Sequence, residues 1–176
     1  MRLGAVLLAG LLGLALLSGC EAKAPAPAPP QGKIPDVRLG TVEMTEVKDA
    51  VTQWQLAAAS IEYERATGRG DMLQVQVTFF SQKGEPVFVQ SERGVFDSIA
   101  KEIELIGNVH GTASPYLLSA DRLRYRPKER VLETPTAARM ESKDLTVAGV
   151  GLHYDIDSGR FHIDHEVKSR ANHRLF

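Results

Sequence analysis

Phe161-His162-Ile163-Asp164-His165 gathers three imidazoles and a carboxylate near the end of the chain once His153 is counted with His162 and His165. In an extended strand His162 and Asp164 share one face and His165 takes the other. A zinc site needs three or four converging ligands and ordered groups behind them. Cross-strand charge pairing accounts for these residues without an ion. With Ser158-Gly159 as the turn, His153 faces Asp164 and Asp155 faces His162, both favourable across a ladder. No metal and no cofactor is expected. His110 stands alone. Ser60, Ser91, Ser98, Ser114 and Ser119 lack a Gly-x-Ser-x-Gly setting. Gly68-Arg69-Gly70-Asp71 is too short for a phosphate loop and reads as a turn. No catalytic residue is assigned, and the chain is not expected to be an enzyme.

Cys20 carries the remaining chemistry. It is the single cysteine, so an intrachain disulfide is impossible. Arg2, an apolar run over residues 6–17 and Leu17-Ser18-Gly19-Cys20 form a lipoprotein signal peptide over residues 1–20. The run is short for a membrane span of about 20 residues. Acyl chains on Cys20, at about 0.8 kcal/mol per buried CH₂, make an effectively permanent anchor. An Ala/Pro-rich stretch follows, and residues 21–40 are expected to form an extended tether. The formal net charge is −1 for the chain and −2 once Arg2 is removed with the leader. No basic patch is evident, which argues against nucleic-acid binding. Residues 41–170 are one domain in size, and residues 171–176 form a tail.

The elements behind these side chains repeat. Phe96, Tyr125 and Tyr154 recur at a spacing of 29, each followed seven residues later by Ile103, Leu132 and Phe161. Leu105, Thr134 and Ile163 come two further on, then Val109, Ala138 and Val167. Each unit reads as strand, polar turn, strand, and such units must stack to bury an apolar face. Leu73, Val75, Val77 and Phe79 alternate with polar residues, as do Leu123 and Tyr125. Glu85-Pro86 turns the chain before Val87 and Val89. Leu145 and Val147 read as a short strand. In the last hairpin Leu152, Tyr154 and Ile156 share one face, and Phe161, Ile163 and His165 share the other strand's inner face. The turn predicts that Ile156 pairs with Phe161 and Tyr154 with Ile163. Residues 45–64 are ambiguous: Val47, Val51, Trp54, Ala58 and Ile61 fit a helical stripe, while Trp54, Leu56 and Ala58 fit a strand. Gly107, Gly149 and Gly151 interrupt strand patterns, where glycine marks a bulge, a bend or a close approach.

Several short segments follow one another in a recognisable order. They are Trp54-Gln55-Leu56-Ala57-Ala58-Ala59 through Tyr63, Val75-Gln76-Val77-Thr78-Phe79-Phe80, Gly84-Glu85-Pro86 and Ser91-Glu92-Arg93-Gly94. Leu105-Ile106-Gly107-Asn108-Val109, Ser119-Ala120-Asp121-Arg122-Leu123 and Gly149-Val150-Gly151-Leu152 complete the series. In this order they resemble the LptC family of lipopolysaccharide export. OstA-type relatives, the LptA bridge and the periplasmic part of LptD, share the strand repeat. The resemblance implies an all-β fold: a β-jellyroll of two antiparallel sheets forming an open, V-shaped groove, with Trp54–Tyr63 as a strand. It implies no catalysis and no cofactor. It implies that lipid A passes from an inner-membrane ABC transporter, through this chain, to LptA. The N-terminal edge near Trp54 would meet the transporter, and the C-terminal edge from Phe161 to Val167 would meet LptA. The groove would be lined by Val75, Val77, Phe79, Phe96, Ile103, Leu105, Leu123, Tyr125, Leu132, Leu152, Tyr154, Phe161 and Ile163. The chain departs from familiar members in carrying a lipoprotein Cys20, and Glu21 stands where inner-membrane retention favours aspartate. The expected location is the periplasm, anchored most simply to the periplasmic face of the inner membrane. Another periplasmic lipid carrier or an outer-membrane assembly lipoprotein of the same fold is the alternative.

Overall fold

A computed structural model describes residues 35–82 and 85–171. Cys20, the leader, most of the tether and the last five residues lie outside that range. The described residues form nine strands and no helix. They are β1 (Val37–Lys48), β2 (Val51–Glu64), β3 (Arg69–Phe79), β4 (Val87–Asp97), β5 (Glu102–Ala113), β6 (Tyr116–Arg126), β7 (Val131–Glu141), β8 (Leu145–Asp155) and β9 (Phe161–Ala171). All pair antiparallel with their sequence neighbours in a single sheet of order β1 to β9.

The expected two sheets are therefore two layers of one sheet. The pairing of every strand is interrupted near its middle, and the interruptions line up across the ladder. Thr41, Ala59, Gln74 and Glu92 fall at successive gaps in the pairing of β1 to β4. Register shifts follow at Ile106/Val109, Ala120/Arg124, Thr134/Ala137 and Ala148/Val150. Thr41, Gln74, Gly107, Asn108, Gly151 and Glu166 have positive φ along this line. Bulges bend strands and strengthen their twist, so the line is a crease. Side chains from opposite halves of distant strands meet across it. Trp54 of β2 packs on Phe96 of β4 at 5.9 Å between ring centroids, Phe79 of β3 on Tyr125 of β6 at 4.8 Å, and Tyr116 of β6 on Phe161 of β9 at 5.1 Å. Strands three places apart in a flat sheet would lie about 14 Å from one another.

The repeat is one hairpin per unit. Phe96↔Ile103, Tyr125↔Leu132 and Tyr154↔Phe161 are equivalent cross-strand pairs closing three alternate turns. Val109 and Ala138 are buried, whereas Val167, at the same repeat position, is exposed on the last strand.

The strand implied for Trp54–Tyr63 is present, and four other sequence expectations change. Residues 45–64 are strand: Trp54, Leu56 and Ala58 are buried in strict alternation, while Val47 and Val51 of the helical stripe are exposed. They flank a two-residue turn in which Asp49 and Ala50 both have positive φ, the geometry of a type I′ hairpin. Because β1 covers β2, the N-terminal edge is β1 and not the strand of Trp54. Strand β1 also begins at Val37, four residues inside the expected tether. Third, β8 runs unbroken from Leu145 through Gly149 and Gly151 to Asp155. Fourth, the last hairpin is two positions out of the expected register. Tyr154 faces Phe161, Leu152 faces Ile163, and His153 faces His162. Ile156 leaves the ladder because it is worth more in the core. It is 2% exposed, and its N–H donates to the Arg130 carbonyl at 3.1 Å. Asp155 and Gly159 then close the longer turn through Asp155 N–H to Arg160 O and Gly159 N–H to Asp155 O, both 2.9 Å. His165, expected on the inner face, is exposed beside the crease.

Candidate functional site

The thirteen apolar positions picked from the sequence converge between the layers. Val75, Val77, Phe79, Ile103, Leu105, Leu123, Tyr125, Leu132, Leu152 and Tyr154 are buried in one cluster. Phe96, Phe161 and Ile163 are half-buried against it, together with Val42 and Met44 of β1. The interior is filled by its own side chains in this conformation. A guest with acyl chains would have to exchange its contacts for those between the layers.

Opposite the crease the layers are joined by a polar latch that nothing in the local sequence announced. Arg130, in the β6–β7 turn, has a side chain only 14% exposed and φ of 53°. Its Nε donates to Asp157 Oδ2 at 2.7 Å and its Nη2 to Asp157 Oδ1 at 3.0 Å. The same guanidinium donates to the Phe80 carbonyl at 2.5 Å and to Gln53 Oε1. Phe80 and Gln53 belong to the other layer. Asp157 Oδ1 also accepts the Gln82 N–H at 3.0 Å. The Asp157 hydrogen bond raises the guanidinium pKa above its ordinary value, against the effect of burial, so the latch keeps its charge. Burial likewise pushes the Tyr125 phenol up, an effect that neighbouring Arg130 partly offsets. Tyr154 is raised by burial and then by Asp155. Lys101 and Glu46 form a second, looser link between the layers at 3.8 Å.

The three glycines stand at the crease. Gly107 has φ of 78° and precedes Asn108 at 47°. Gly151 also has φ of 78°, and a Cβ there would lie 2.5 Å from Asp164 Oδ2. At Gly149 a Cβ would approach the His165 carbonyl oxygen to 2.6 Å. The outer face is charged. Arg122 donates to Glu104 at 2.9 Å and Arg126 to Glu133 at 2.7 Å. Such exposed pairs contribute little stability.

Two other features lie on outward residues. A cleft of about 670 Å³ is lined by Gln55, Gln76, Phe88, Gln90, His110 and Leu117 among others, and includes only Val77 of the thirteen interior positions. At its margin Ser119, His110 and Asn108 form a chain, with 3.4 Å from Ser119 Oγ to His110 Nδ1 and 2.8 Å from His110 Nε2 to Asn108 Oδ1. The cross-strand pair His110↔Ser119 brings them together. Sequence spacing did not reveal this chain, because the register around Gly107 sets it. It lies on an exposed strand face, where water competes for each bond, so it reads as surface hydrogen bonding.

A creased antiparallel sheet with an apolar interior and two unclosed edge strands defines an OstA-like, jellyroll-type β protein. The match of residues 4–172 to the family described as "Lipopolysaccharide-assembly, LptC-related" narrows this class, and the chain belongs to that family. Among solved structures it is similar to LptH of Pseudomonas aeruginosa, described as "the LptA homologous periplasmic component of the conserved lipopolysaccharide transport device". The TM-score is 0.52 at 12% identity, covering 66% of this chain and 93% of that one. At that identity the likeness is one of fold. No protein of curated function matches the sequence.

Proposed function

We propose that this chain is a non-enzymatic carrier in lipopolysaccharide export, holding the lipid A part between its two layers. It would stand in the periplasm, anchored through acylated Cys20 to the inner membrane. It would receive lipid from an ABC transporter at the β1 edge and pass it to an LptA-like protein at the β9 edge. The observation that supports this most is the open sheet itself: an apolar interior runs the length of the sheet, and the terminal strands β1 and β9 each have one ladder partner. Unpaired edges invite strand addition. A neighbour joined in this way would prolong the interior across the junction.

The energetics suit a relay. Each sheltered CH₂ is worth about 0.8 kcal/mol, so a lipid with several chains does not escape to water. Between two similar grooves the difference is small, and transfer is nearly isoenergetic. Net direction must then come from ATP hydrolysis in the transporter. A photo-crosslinking residue at Phe79, Phe96 or Tyr125 is expected to capture lipopolysaccharide in cells, whereas one at Glu104 or Arg124 on the outer face is not. Equal labelling of the two sets would overturn the proposal.

A further inference from the structure

We propose that His153, His162 and Asp164 form a binding site for a divalent transition-metal ion on the outer face of the terminal hairpin. The observed register creates it. His153 lies directly opposite His162, and their rings stack at 4.6 Å with 9° between planes. The one-to-one charge pairs expected from the sequence are replaced by two imidazoles that share one carboxylate. Both direct Nε2 at one carboxylate: His153 Nε2 is 3.3 Å from Asp164 Oδ2, and His162 Nε2 is 3.5 Å from Asp164 Oδ1. One ligand atom from each residue lies within 4.8 Å of the others. Ligands held at 2.0–2.2 Å in a tetrahedron stand about 3.3–3.6 Å apart. Stacked rings aim their Nε2 lone pairs along parallel planes, so to share one ion the two imidazoles would have to tilt toward one another about χ2, as their exposed position on the strand face allows.

The surroundings resemble those of a built site. Glu133, on the neighbouring strand and paired with His153, places Oε2 3.7 Å from His153 Nδ1. That distance is longer than a hydrogen bond, and His153 Nε2 instead meets Asp164; with an ion in place of that contact, a small shift would let Glu133 accept from Nδ1–H, the common arrangement behind histidine ligands. Arg126 holds Glu133 in turn through a 2.7 Å hydrogen bond. Gly151 gives Asp164 its room, since any Cβ would strike the carboxylate. Two imidazoles and one carboxylate with an open fourth position suit zinc or copper(II) and offer too few oxygens for calcium or magnesium. The ion would bridge β8 to β9, a strand held by one ladder alone.

The test is zinc sulfate titration, by calorimetry, of the metal-stripped full-length chain in detergent, purified without a histidine tag. One equivalent is expected to bind. His162→Gln and Asp164→Asn should each weaken binding at least about tenfold, and Glu133→Gln roughly tenfold. His165→Gln, exposed on the same strand, should leave the affinity unchanged. Circular dichroism would confirm that each variant keeps its strand content. Absence of saturable binding to the parent chain, or the same affinity in the parent, His162→Gln and Asp164→Asn proteins, would overturn the proposal. So would equal loss in His165→Gln.

Discussion

Arg130 shows how much one side chain can decide. It is the only link named above that joins a turn of one layer to two groups of the other, and its partners are 27, 50 and 77 positions away in sequence. Arg130→Ala should cost about 2 kcal/mol in urea unfolding, in line with losing charge-assisted hydrogen bonds in a part-buried place. Arg130→Lys should recover less than half of that, since an ammonium cannot reproduce the planar fork that reaches Asp157 and Phe80 together. A loss below about 0.5 kcal/mol for the alanine variant would mean that the layers stay closed through apolar contact alone. The sequence offered no sign of this role, because an arginine after Lys128-Glu129 in a polar turn looks like many solvated ones. The apolar residues were easier to read. Phe79, Tyr125 and Leu132 betray themselves by period two and by the repeat, and each is buried.

At the scale of elements, local pattern was informative wherever one face is buried along a strand's whole length. It failed at the crease, where the backbone turns over and the alternation changes phase, and it failed for Ile156, which packing draws out of the ladder. The turn at Asp49-Ala50 escaped because neither residue is glycine or asparagine, although both have positive φ. The helix signal in residues 45–64 came from the apolar stripe together with the helix-favouring run Ala57-Ala58-Ala59, and in the sheet Ala57 and Ala59 are exposed positions on a strand whose other face is covered. Tertiary pairing outweighs so weak a propensity. The crease gives a direct test. Gly107→Ala, forced to keep φ near 78°, should lose about 1–2 kcal/mol. Gly40→Ala, on the first strand with nothing within 4 Å of a new Cβ, should be neutral to within about 0.5 kcal/mol. Thermal unfolding of the two variants side by side would separate a backbone effect from a mere change of side chain.

For the whole molecule, the relevant fact is that, among the described residues, the sheet begins and ends without closing. Leu39 on β1 and Val167 on β9 are each about half exposed, at 50% and 53%. Crosslinkers there should trap different neighbours: the transporter at Leu39 and an LptA-like protein at Val167. The same partner at both positions would contradict a directional chain of domains. The crease has one more consequence. Rungs between antiparallel strands run perpendicular to the strands, and the crease crosses the strands as well, so rungs and crease are parallel. The two leaves can swing apart about that spine by rotating mid-strand torsions, and no rung need break. Widening the bore would thus cost the clasp at Arg130, the Lys101–Glu46 pair and the apolar contacts between leaves, the last of which a fatty guest would replace. An opening of that kind would leave every strand still holding its neighbours.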